Sequence, residues 1–317
     1  MASLNMNEET MKPPMISIVM PTYNRARLIG DTLASIRGQS FENWELIIVD
    51  DGSTDDTAAV INAIGDPRVR YTRRPHSGIG AEVKNAGLAL ATGEYLAFMD
   101  SDDLWHSSKL AKQLDALERH PGAGFCICGG YNFIELNRPG RAYYKKTEGE
   151  YYGNIFSDFF DSGWPAYTQT LLVRRDCVQE VGAFPESGSF AGGDLDFLLS
   201  LALRFHAVIL YEALFFHRLH PGTFSLTDWE QSSLEGIRAI RYHASKGHLH
   251  PADGKRALFR AYIRLGEKYL QHGEKRKAVR VLLKAWTGNP FKWVAVKKLG
   301  KGLLYRTPKV NRVPSHG

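Results

Sequence analysis

The sequence predicts an α/β fold, in which a mostly parallel sheet is flanked by helices over residues 15–226 and is followed by a basic α-helical C-terminal extension. Two patterns indicate this fold. Short apolar, β-branched segments alternate with segments of helical periodicity up to about residue 226. Beyond Leu226 the strand patterns stop, and apolar residues recur at helical spacing among Lys and Arg.

The first elements of this pattern are a strand, a helix and a second strand. Residues 16–20 are apolar and β-branched, and Pro21 is expected to end this strand. Residues 27–37 carry apolar side chains at helical spacing. Residues 44–49 predict a second buried strand, which runs into an acidic pair and a Gly-Ser turn.

The pattern then repeats and ends in an acidic cluster. Acidic residues open a helix after the second strand, and residues 69–72 predict a third strand. Residues 82–91 predict a helix, and residues 94–99 a strand that ends in the acidic segment 100–103. In open parallel sheets ligands bind beyond the carboxyl ends of the strands, so the sequence predicts a ligand site at this edge.

Composition and length favour a soluble globular protein. The chain has 317 residues, of which 44% are hydrophobic, and this excludes a disordered or fibrous protein. Three cysteines, two of them at Cys126 and Cys128 in an apolar stretch, predict buried thiols and a reducing compartment, not a disulfide framework or a zinc site.

The N-terminal segment and the hydropathy predict a cytoplasmic location. Residues 1–14 have no apolar core of signal-peptide length and are expected to be flexible. The chain has no run of about 18 apolar residues that could span a bilayer.

Charge divides the chain into two parts. Residues 255–317 contain 17 Lys or Arg and 2 Asp or Glu, a net charge of +15, whereas residues 1–254 carry −9. An acidic body suits a site that collects metal and activated substrates, and a basic tail suits anionic lipid headgroups better than nucleic acid. The apolar stripes of residues 227–317 are compatible both with helix packing on the main domain and with a peripheral membrane surface at the inner face of the plasma membrane.

The acidic segment of residues 100–103 is the sharpest local signal for chemistry. Carboxylates this close repel one another unless a cation or hydrogen-bond donors compensate them. Mg²⁺ or Mn²⁺ bound by one or two carboxylates usually completes its shell with water and substrate phosphates, which implies a phosphate-bearing ligand. The alternative is an exposed acidic turn that caps the following helix. A second acidic tip, Asp50-Asp51, is expected nearby and could accept hydrogen bonds from a base or ribose.

Four segments carry a resemblance to a known family. They read SIVMPTYNR from Ser17, VDDGSTDDT from Val49, KNAGLALATGEY from Lys84 and FMDSDD from Phe98. In this order and spacing they closely resemble the nucleotide-sugar half of family 2 glycosyltransferases. The resemblance covers about residues 15–226 and leaves out the helical tail.

The resemblance implies a Rossmann-like GT-A fold and a set of donor-binding residues. The nucleotide-sugar half would comprise about residues 15–104 and the acceptor half about residues 105–226. Asp102 would ligate Mn²⁺ or Mg²⁺ across the donor diphosphate, and Asp100 would hold the ribose or a metal-bound water. The side chains that the resemblance places around the donor are Pro21, Tyr23, Asn24, Asp50, Asp51, Lys84, Asp100 and Ser101. Lys84 stands where the family often has Arg.

The resemblance also implies a catalytic base on the acceptor side. Asp194 would accept the proton of the acceptor hydroxyl, and Asp196 would support it; Gly193 replaces the usual Glu, and Ser200 stands where Arg is frequent. Arg218 and His220 would meet the charge of the leaving group, with His220 also a candidate metal ligand. Acceptor contacts are expected from Trp164, Tyr167 and Gln169. Three further histidines, His206, His217 and His243, are expected to be ordinary surface or packing residues.

The resulting prediction is a metal-dependent inverting glycosyltransferase. It would move a sugar from a nucleotide-diphospho-sugar, expected to be UDP-linked, to a hydroxyl of a glycan or lipid-linked acceptor in cell-surface polysaccharide or glycolipid synthesis. One alternative is a non-catalytic nucleotide-sugar-binding or scaffolding protein of the same fold. A sugar nucleotidyltransferase is a second alternative, which the lack of a Gly-rich phosphate loop near the first strand disfavours.

Overall fold

The computed structural model describes residues 13–134, 139–144, 146–161, 167–185, 192–223 and 229–288. The described strands form one sheet with the order β3-β2-β1-β4-β9-β6-β10-β5, to which β7 pairs at β6 and β8 at β10. The strands are β1 (Ile16–Thr22), β2 (Trp44–Asp50), β3 (Val69–Arg73), β4 (Tyr95–Phe98), β5 (Leu104–Trp105), β6 (Ala123–Phe133), β7 (Pro139–Ala142), β8 (Glu150–Gly153), β9 (Leu171–Arg174) and β10 (His206–Arg218).

Most strands along the main path of this sheet run in one direction. β3, β2, β1 and β4 are parallel neighbours, and β6 and β10 are parallel to each other. β9 lies between the two groups and is antiparallel to both β4 and β6. The four strands of the first group and the two of the second therefore all run in the same direction, and β9 runs opposite to them. The predicted mostly parallel sheet is confirmed.

Ten helices of the described residues cover or follow the sheet. They are α1 (Ile29–Arg37), α2 (Thr57–Asn62), α3 (Gly80–Leu90), α4 (Lys109–Arg119), α5 (Phe156–Asp161), α6 (Arg175–Val181), α7 (Gly192–Arg204), α8 (Trp229–Ser245), α9 (Pro251–Gln271) and α10 (Lys275–Gly288), with a short 3-10 turn at Thr168–Thr170. The predicted helical C-terminal region is confirmed as far as Gly288, and the apolar positions predicted beyond it lie outside the described residues. None of the described helices is long and apolar enough to cross a membrane.

The first strand is longer than predicted, because Pro21 lies within β1 and pairs with Val49. Met99 N donates to Val19 O at 3.0 Å, so the backbone of Val19 faces β4. Residues two apart on a strand present their backbone groups to the same side, and Pro21 therefore also faces β4. The pairing with β4 ends at Val19, so the hydrogen bonds between β1 and β4 do not require the N–H that proline lacks.

Helices pack on both faces of the sheet. Ile18 and Met20 join a buried cluster with Leu33 of α1, whereas Val19 joins the cluster of Val83 on α3. This alternation is what a strand buried on both faces requires. The three cysteines are buried, as predicted.

The C-terminal helices add a third cluster, in which Phe259 and Leu265 of α9 meet Leu282 of α10. Ile240 of α8 and Ala257 of α9 belong to the cluster on the main sheet. The interpretation of this region as helices packed on the main domain is therefore correct for α8 and α9.

Helix α3 lies unusually close to the sheet. A Cβ atom at Gly87 would lie 2.4 Å from Cγ1 of Val19. Any residue other than glycine would therefore clash with Val19 at this position. This close approach determines the distance between α3 and β1. It thereby also determines the position of Lys84, which lies one helical turn before Gly87.

Candidate active site

The carboxyl ends of β1, β2 and β4 are neighbours in the sheet, so the loops that follow them meet at one edge. Asn24 Oδ1, after β1, accepts from the backbone N–H of Thr54 after β2 at 2.8 Å. Asn24 has a left-handed backbone with a φ of 50°, which asparagine tolerates better than most residues. Arg25 Nε lies 3.2 Å from Oδ2 of Asp102 in the loop after β4. The predicted convergence of the three loops is confirmed.

Three carboxylates of the acidic loop face one another. Asp100, Asp102 and Asp103 each offer an oxygen atom, and these atoms lie within 4.8 Å of one another. Asp103 is fully buried and accepts from the backbone N–H of Arg218 at 2.8 Å; His217 Nδ1 lies 3.1 Å from it. Asp103 therefore anchors the loop to β10, and Asp100 and Asp102 remain as the carboxylates available to a ligand.

Asp102 lies between two basic side chains. Its Oδ2 is 3.0 Å from His220 Nε2 and 3.2 Å from Arg25 Nε. Burial alone would raise the pKa of Asp102, but the hydrogen bond with His220 and the charge of Arg25 hold that pKa below its ordinary value. Arg218 Nε donates to the carbonyl oxygen of Asp102 at 2.8 Å and its terminal nitrogen to Asp31 at 2.9 Å, so this arginine shapes the loop.

Asp100 is in a different electrostatic environment. Burial raises the pKa of its carboxyl group to about 7; the charge of Lys84 opposes this shift, and the carboxylates of Asp103 and Asp102 add to it. The amide nitrogen of Gln169 donates to Asp100 Oδ2. Carboxylate oxygens within 4.8 Å of one another provide the hard ligands and the negative charge that suit a divalent cation, so the residues present fit Mg²⁺ or Mn²⁺.

The two aspartates at the end of β2 have separate roles in the local structure. Asp50 is fully buried and accepts from Ser53 N at 2.7 Å and from the hydroxyl of Tyr71 at 2.6 Å. Asp51 accepts from the backbone N–H groups of Ser77 and Gly78 at 3.0 and 2.8 Å. These bonds order the loop that would surround a nucleoside.

An aromatic surface lies beside this acidic pair. The ring of Tyr23 stacks on His76 with a centroid separation of 4.2 Å and an interplanar angle of 18°. Tyr23 is 39% exposed, so one face of the stack is open. A flat, half-exposed ring next to hydrogen-bonding loops can accept a planar base.

The structure places Asp194 in the first turn of α7 and next to Lys84. Lys84 Nζ lies 2.6 and 2.8 Å from the two carboxylate oxygens of Asp194, and Thr168 Oγ1 donates to the same carboxylate at 3.2 Å. Asp196 follows two positions further along α7. Burial would lower the pKa of Lys84, but Asp194 and Asp100 raise it above its ordinary value, so the lysine is charged.

Of the residues expected to contact an acceptor, the structure describes Tyr167, which is partly buried, and Gln169, which is buried. Tyr167 packs against Tyr143 and stacks on His217, with ring centroids 5.4 and 5.0 Å away. Gln169 is buried under Asp100, and Trp164 lies outside the described residues. Tyr167 and Gln169 are therefore placed beneath the acidic loop.

Sequence reasoning did not find three contacts of the site. Arg25 was present in a matched segment without a role, His217 was expected to be an ordinary packing residue, and Thr168 was not singled out. Arg25 and His217 contact the acidic loop, and Thr168 contacts Asp194. The sequence signal that could have indicated the contact of Arg25 is the position of this basic residue just after the first strand, at the edge where the acidic segment is also expected.

Comparison with known proteins identifies the family. Residues 17–179 match Glycosyl transferase family 2, and this match covers half of the chain. The chain therefore belongs to Glycosyl transferase family 2.

Three curated relatives show how far the similarity extends. An uncharacterized glycosyltransferase of Rickettsia felis is 28% identical over 238 residues, 75% of this chain and 38% of the relative. The UDP-Glc:alpha-D-GlcNAc-diphosphoundecaprenol beta-1,3-glucosyltransferase WfgD of Escherichia coli is 34% identical over 123 residues, 39% of this chain and 48% of the relative. The amylovoran biosynthesis glycosyltransferase AmsB of Erwinia amylovora is 32% identical over 178 residues, 54% and 59% of the two chains. The chain spans a quarter to a half of the length of the first four relatives.

Solved structures confirm a GT-A-like fold. S. aureus TarS 1-349 in complex with UDP-GlcNAc superposes with a TM-score of 0.62 at 18% identity and covers 86% of this chain and 81% of TarS 1-349. The mannosyltransferase PcManGT from Pyrobaculum calidifontis, in complex with GDP-Man and Mn²⁺, superposes with a TM-score of 0.57 at 18% identity over 92% and 80% of the chains.

Proposed function

We propose that the protein is a metal-dependent inverting glycosyltransferase that moves a sugar from a nucleotide-diphospho-sugar to a hydroxyl of a glycan or lipid-linked acceptor. The observation that carries the proposal is one continuous polar cluster at the ligand edge of the sheet. The acidic loop supplies three carboxylates whose oxygen atoms lie within 4.8 Å of one another, and the adjacent residues Thr168 and Gln169 contact Asp194 and Asp100, so one turn links the proposed base to the acidic loop. Family membership supports the same chemistry.

The donor would bind along the three loops. Tyr23 and the loop of Asp50 and Asp51 would surround the base, with Pro21, Asn24 and Ser101 shaping the walls. Asp102 and His220 would hold Mn²⁺ or Mg²⁺, with Asp100 near the ribose or a metal-bound water. The bound cation would offset the negative charge that develops on the diphosphate. A UDP-linked donor is supported by the WfgD name and the UDP-GlcNAc complex of TarS.

The transfer would be a single displacement. The acceptor hydroxyl attacks the anomeric carbon and gives its proton to Asp194, while the bond from that carbon to the donor phosphate oxygen breaks. The nucleoside diphosphate leaves with the electron pair of this bond, and the anomeric configuration inverts. Asp196 would support Asp194 from the same helix, and Arg218 would stabilise the acidic loop that faces the leaving group.

The acceptor is proposed from the relatives and from the C-terminal helices. The names of AmsB and of the glycosyltransferase TuaG of Bacillus subtilis, which refer to amylovoran and teichuronic acid biosynthesis, support a role in polysaccharide biosynthesis. The name of WfgD specifies a diphosphoundecaprenol-linked acceptor, which supports a lipid-linked acceptor here. We place the catalytic domain at residues 15–226 and a basic region at residues 227–317.

The basic region offers a surface to an anionic membrane at the cytoplasmic face. On α10, Leu283 and Trp286 are 45% and 43% exposed and lie one turn apart, beside the buried face that includes Leu282. Arg280 lies one turn before Leu283, and Lys284 follows it directly in the sequence. An exposed apolar stripe with basic side chains beside it is the pattern of an interfacial helix.

Transfer assays with UDP- and GDP-linked hexoses, Mn²⁺ or Mg²⁺, and glycan or polyprenyl-linked acceptors test the activity. We expect sugar transfer by the wild type and none by Asp102→Asn or Asp194→Asn. A wild type that binds a donor and leaves it intact would be a binding protein, and release of pyrophosphate would indicate a nucleotidyltransferase.

Sedimentation with anionic and neutral vesicles tests the membrane surface. We expect binding to anionic vesicles that weakens with salt and is lost in Leu283→Glu/Trp286→Glu. Leu203→Glu, at an exposed leucine of α7, is the matched control. Equal sedimentation of both variants would contradict the proposal.

A further inference from the structure

A buried lysine lies behind the carboxylate that we propose as the catalytic base. The side chain of Lys84 on α3 is 8% exposed. Its ammonium group contacts both oxygens of Asp194, at 2.6 and 2.8 Å. One cation at hydrogen-bonding distance from two oxygens restricts the rotation of the carboxylate, because rotation would lengthen one of the two contacts.

Thr168 provides a second contact to the carboxylate from a different element. Its hydroxyl donates to Asp194 Oδ2 at 3.2 Å and accepts from Lys84 Nζ at 3.4 Å. The turn that carries Thr168 is itself anchored, because the buried side chain of Gln113 donates to the carbonyl oxygen of Thr170 at 2.8 Å. Asp194 is therefore held both from α3 and from the turn before β9.

These contacts leave part of the carboxylate accessible. The side chain of Asp194 is 38% exposed, whereas Lys84 and Thr168 are buried. Both partners thus reach Asp194 from the interior of the protein, and an acceptor hydroxyl can approach from the solvent side. A general base needs this geometry, because it must lie within about 2.6–3.2 Å of the oxygen whose proton it takes.

Two departures from the family pattern meet at this contact. Lys84 stands where an Arg is frequent, and Gly193, which precedes Asp194, stands where a Glu is usual. A Cβ atom at Gly193 would lie 3.3 Å from the Cβ of Ala81, so α3 and α7 approach closely here. A compact ammonium group suits this narrow space better than a planar guanidinium group does.

We propose that Lys84 is a positioning residue for Asp194 and not a contact to the donor nucleotide. The proposal rests on the proposed glycosyl transfer, since it requires that Asp194 accept the acceptor's proton. Lys84 exchanges no proton in this role. It holds the carboxylate at a fixed position and orientation while the hydroxyl oxygen bonds to the anomeric carbon and the nucleoside diphosphate departs.

The main test separates catalysis from donor binding. Lys84→Met keeps the length of the side chain and removes its charge. We expect kcat to fall about 10²-fold, the loss that a displacement of a catalytic group by about 1 Å can cause. The dissociation constant of the nucleotide sugar that the wild type turns over, measured by calorimetry with Mn²⁺, should stay within about threefold, because uniform binding is unchanged.

Rescue experiments distinguish a positioning role from a general defect of the fold. Lys84→Arg restores a charge and should recover part of kcat. Methylammonium or ethylammonium should raise the kcat of Lys84→Ala in a saturable manner, whereas tetramethylammonium, which cannot donate a hydrogen bond, should not. Thermal unfolding of each variant checks that it remains folded.

Lys112→Met is the matched control. Lys112 contacts both oxygens of Glu212 at 2.6 and 2.5 Å, in the same two-point geometry, but the pair is exposed and is formed between α4 and β10. Removing this lysine should leave kcat and the donor dissociation constant unchanged.

Asp194→Asn distinguishes failure of this proposal from failure of the proposed function. Full activity of Asp194→Asn would remove the base and with it the role of Lys84. An inactive Asp194→Asn together with wild-type kcat in Lys84→Met would overturn the positioning role alone. A weaker donor affinity of Lys84→Met at unchanged kcat would make Lys84 a donor contact and would also overturn it.

Discussion

Nε2 of His220 lies 3.0 Å from Oδ2 of Asp102, and this contact joins the segment after β10 to the acidic loop after β4. These two elements are more than 100 residues apart in the sequence. The imidazole and the carboxylate are close enough that one cation could bind to both side chains. The contact therefore makes the C-terminal end of the main sheet part of the proposed metal site.

We predict that His220→Gln lowers the affinity of the protein for the divalent metal. Loss of a residue that ligates the metal or orients a ligand usually lowers metal affinity about 10–100-fold. Activity and thermal shift measured against Mn²⁺ concentration should both move to higher concentration by about this factor. His272→Gln, at a histidine near the end of α9, is the control. Unchanged metal dependence would exclude His220 from the site.

The raised pKa of Asp100 predicts a pH dependence of stability. The folded-state pKa of about 7 lies above the ordinary value of 3.8, so proton binding favours the folded protein. This contribution is fully present below about pH 4 and is lost as the pH rises through about 7. We expect metal-free Asp100→Asn to lose less thermal stability than the wild type between pH 5.5 and 8. Asp115→Asn, at an exposed acid, should follow the wild type, and parallel curves for all three proteins would contradict the prediction.

The stacked ring of Tyr23 predicts a loss of donor affinity when it is removed. Stacking between a base and an aromatic side chain is worth about 1–3 kcal/mol, so Tyr23→Ala should raise the donor dissociation constant about 5- to 150-fold. Tyr23→Phe keeps the ring and should stay near the wild type. Calorimetric titration with the donor nucleotide measures both, and equal affinities of Tyr23→Ala and Tyr23→Phe would show that the base binds elsewhere.

The close approach of α3 to β1 predicts a large effect of a small substitution. Gly87→Ala would push a methyl group against Cγ1 of Val19, and such overpacking costs about 1–3 kcal/mol. Gly30→Ala in α1 meets no atom within 4 Å and should be neutral or stabilising. Urea unfolding of both variants measures the difference, and equal stabilities would mean that α3 can shift without cost.

The strands and the ligand edge could be predicted because their signals are local. β1, β2 and β4 are apolar segments that end in polar residues, and the rule for parallel sheets then places their loops together. The extension of β1 through Pro21 could not be predicted, because it depends on where the pairing with β4 stops.

The contact between Lys84 and Asp194 could not be predicted from the sequence. The two residues are 110 positions apart, and no periodicity or spacing relates them. The same holds for Asp103 and His217, which are 114 positions apart. Such pairs depend on the order of strands in the sheet and on the packing of α3 against α7. Neither of these can be inferred from the local patterns of a single sequence.

The antiparallel direction of β9 has a consequence for how the acceptor side of the protein is assembled. A reversed strand brings its beginning, not its end, to the edge where its neighbours finish. The residues just before β9, including Thr168 and Gln169, thereby reach Asp194 and Asp100, although they precede a strand instead of following one. Because β9 is reversed, the segment that precedes it lies at the same edge of the sheet as the loops that follow the parallel strands. Both kinds of segment therefore contribute to one site.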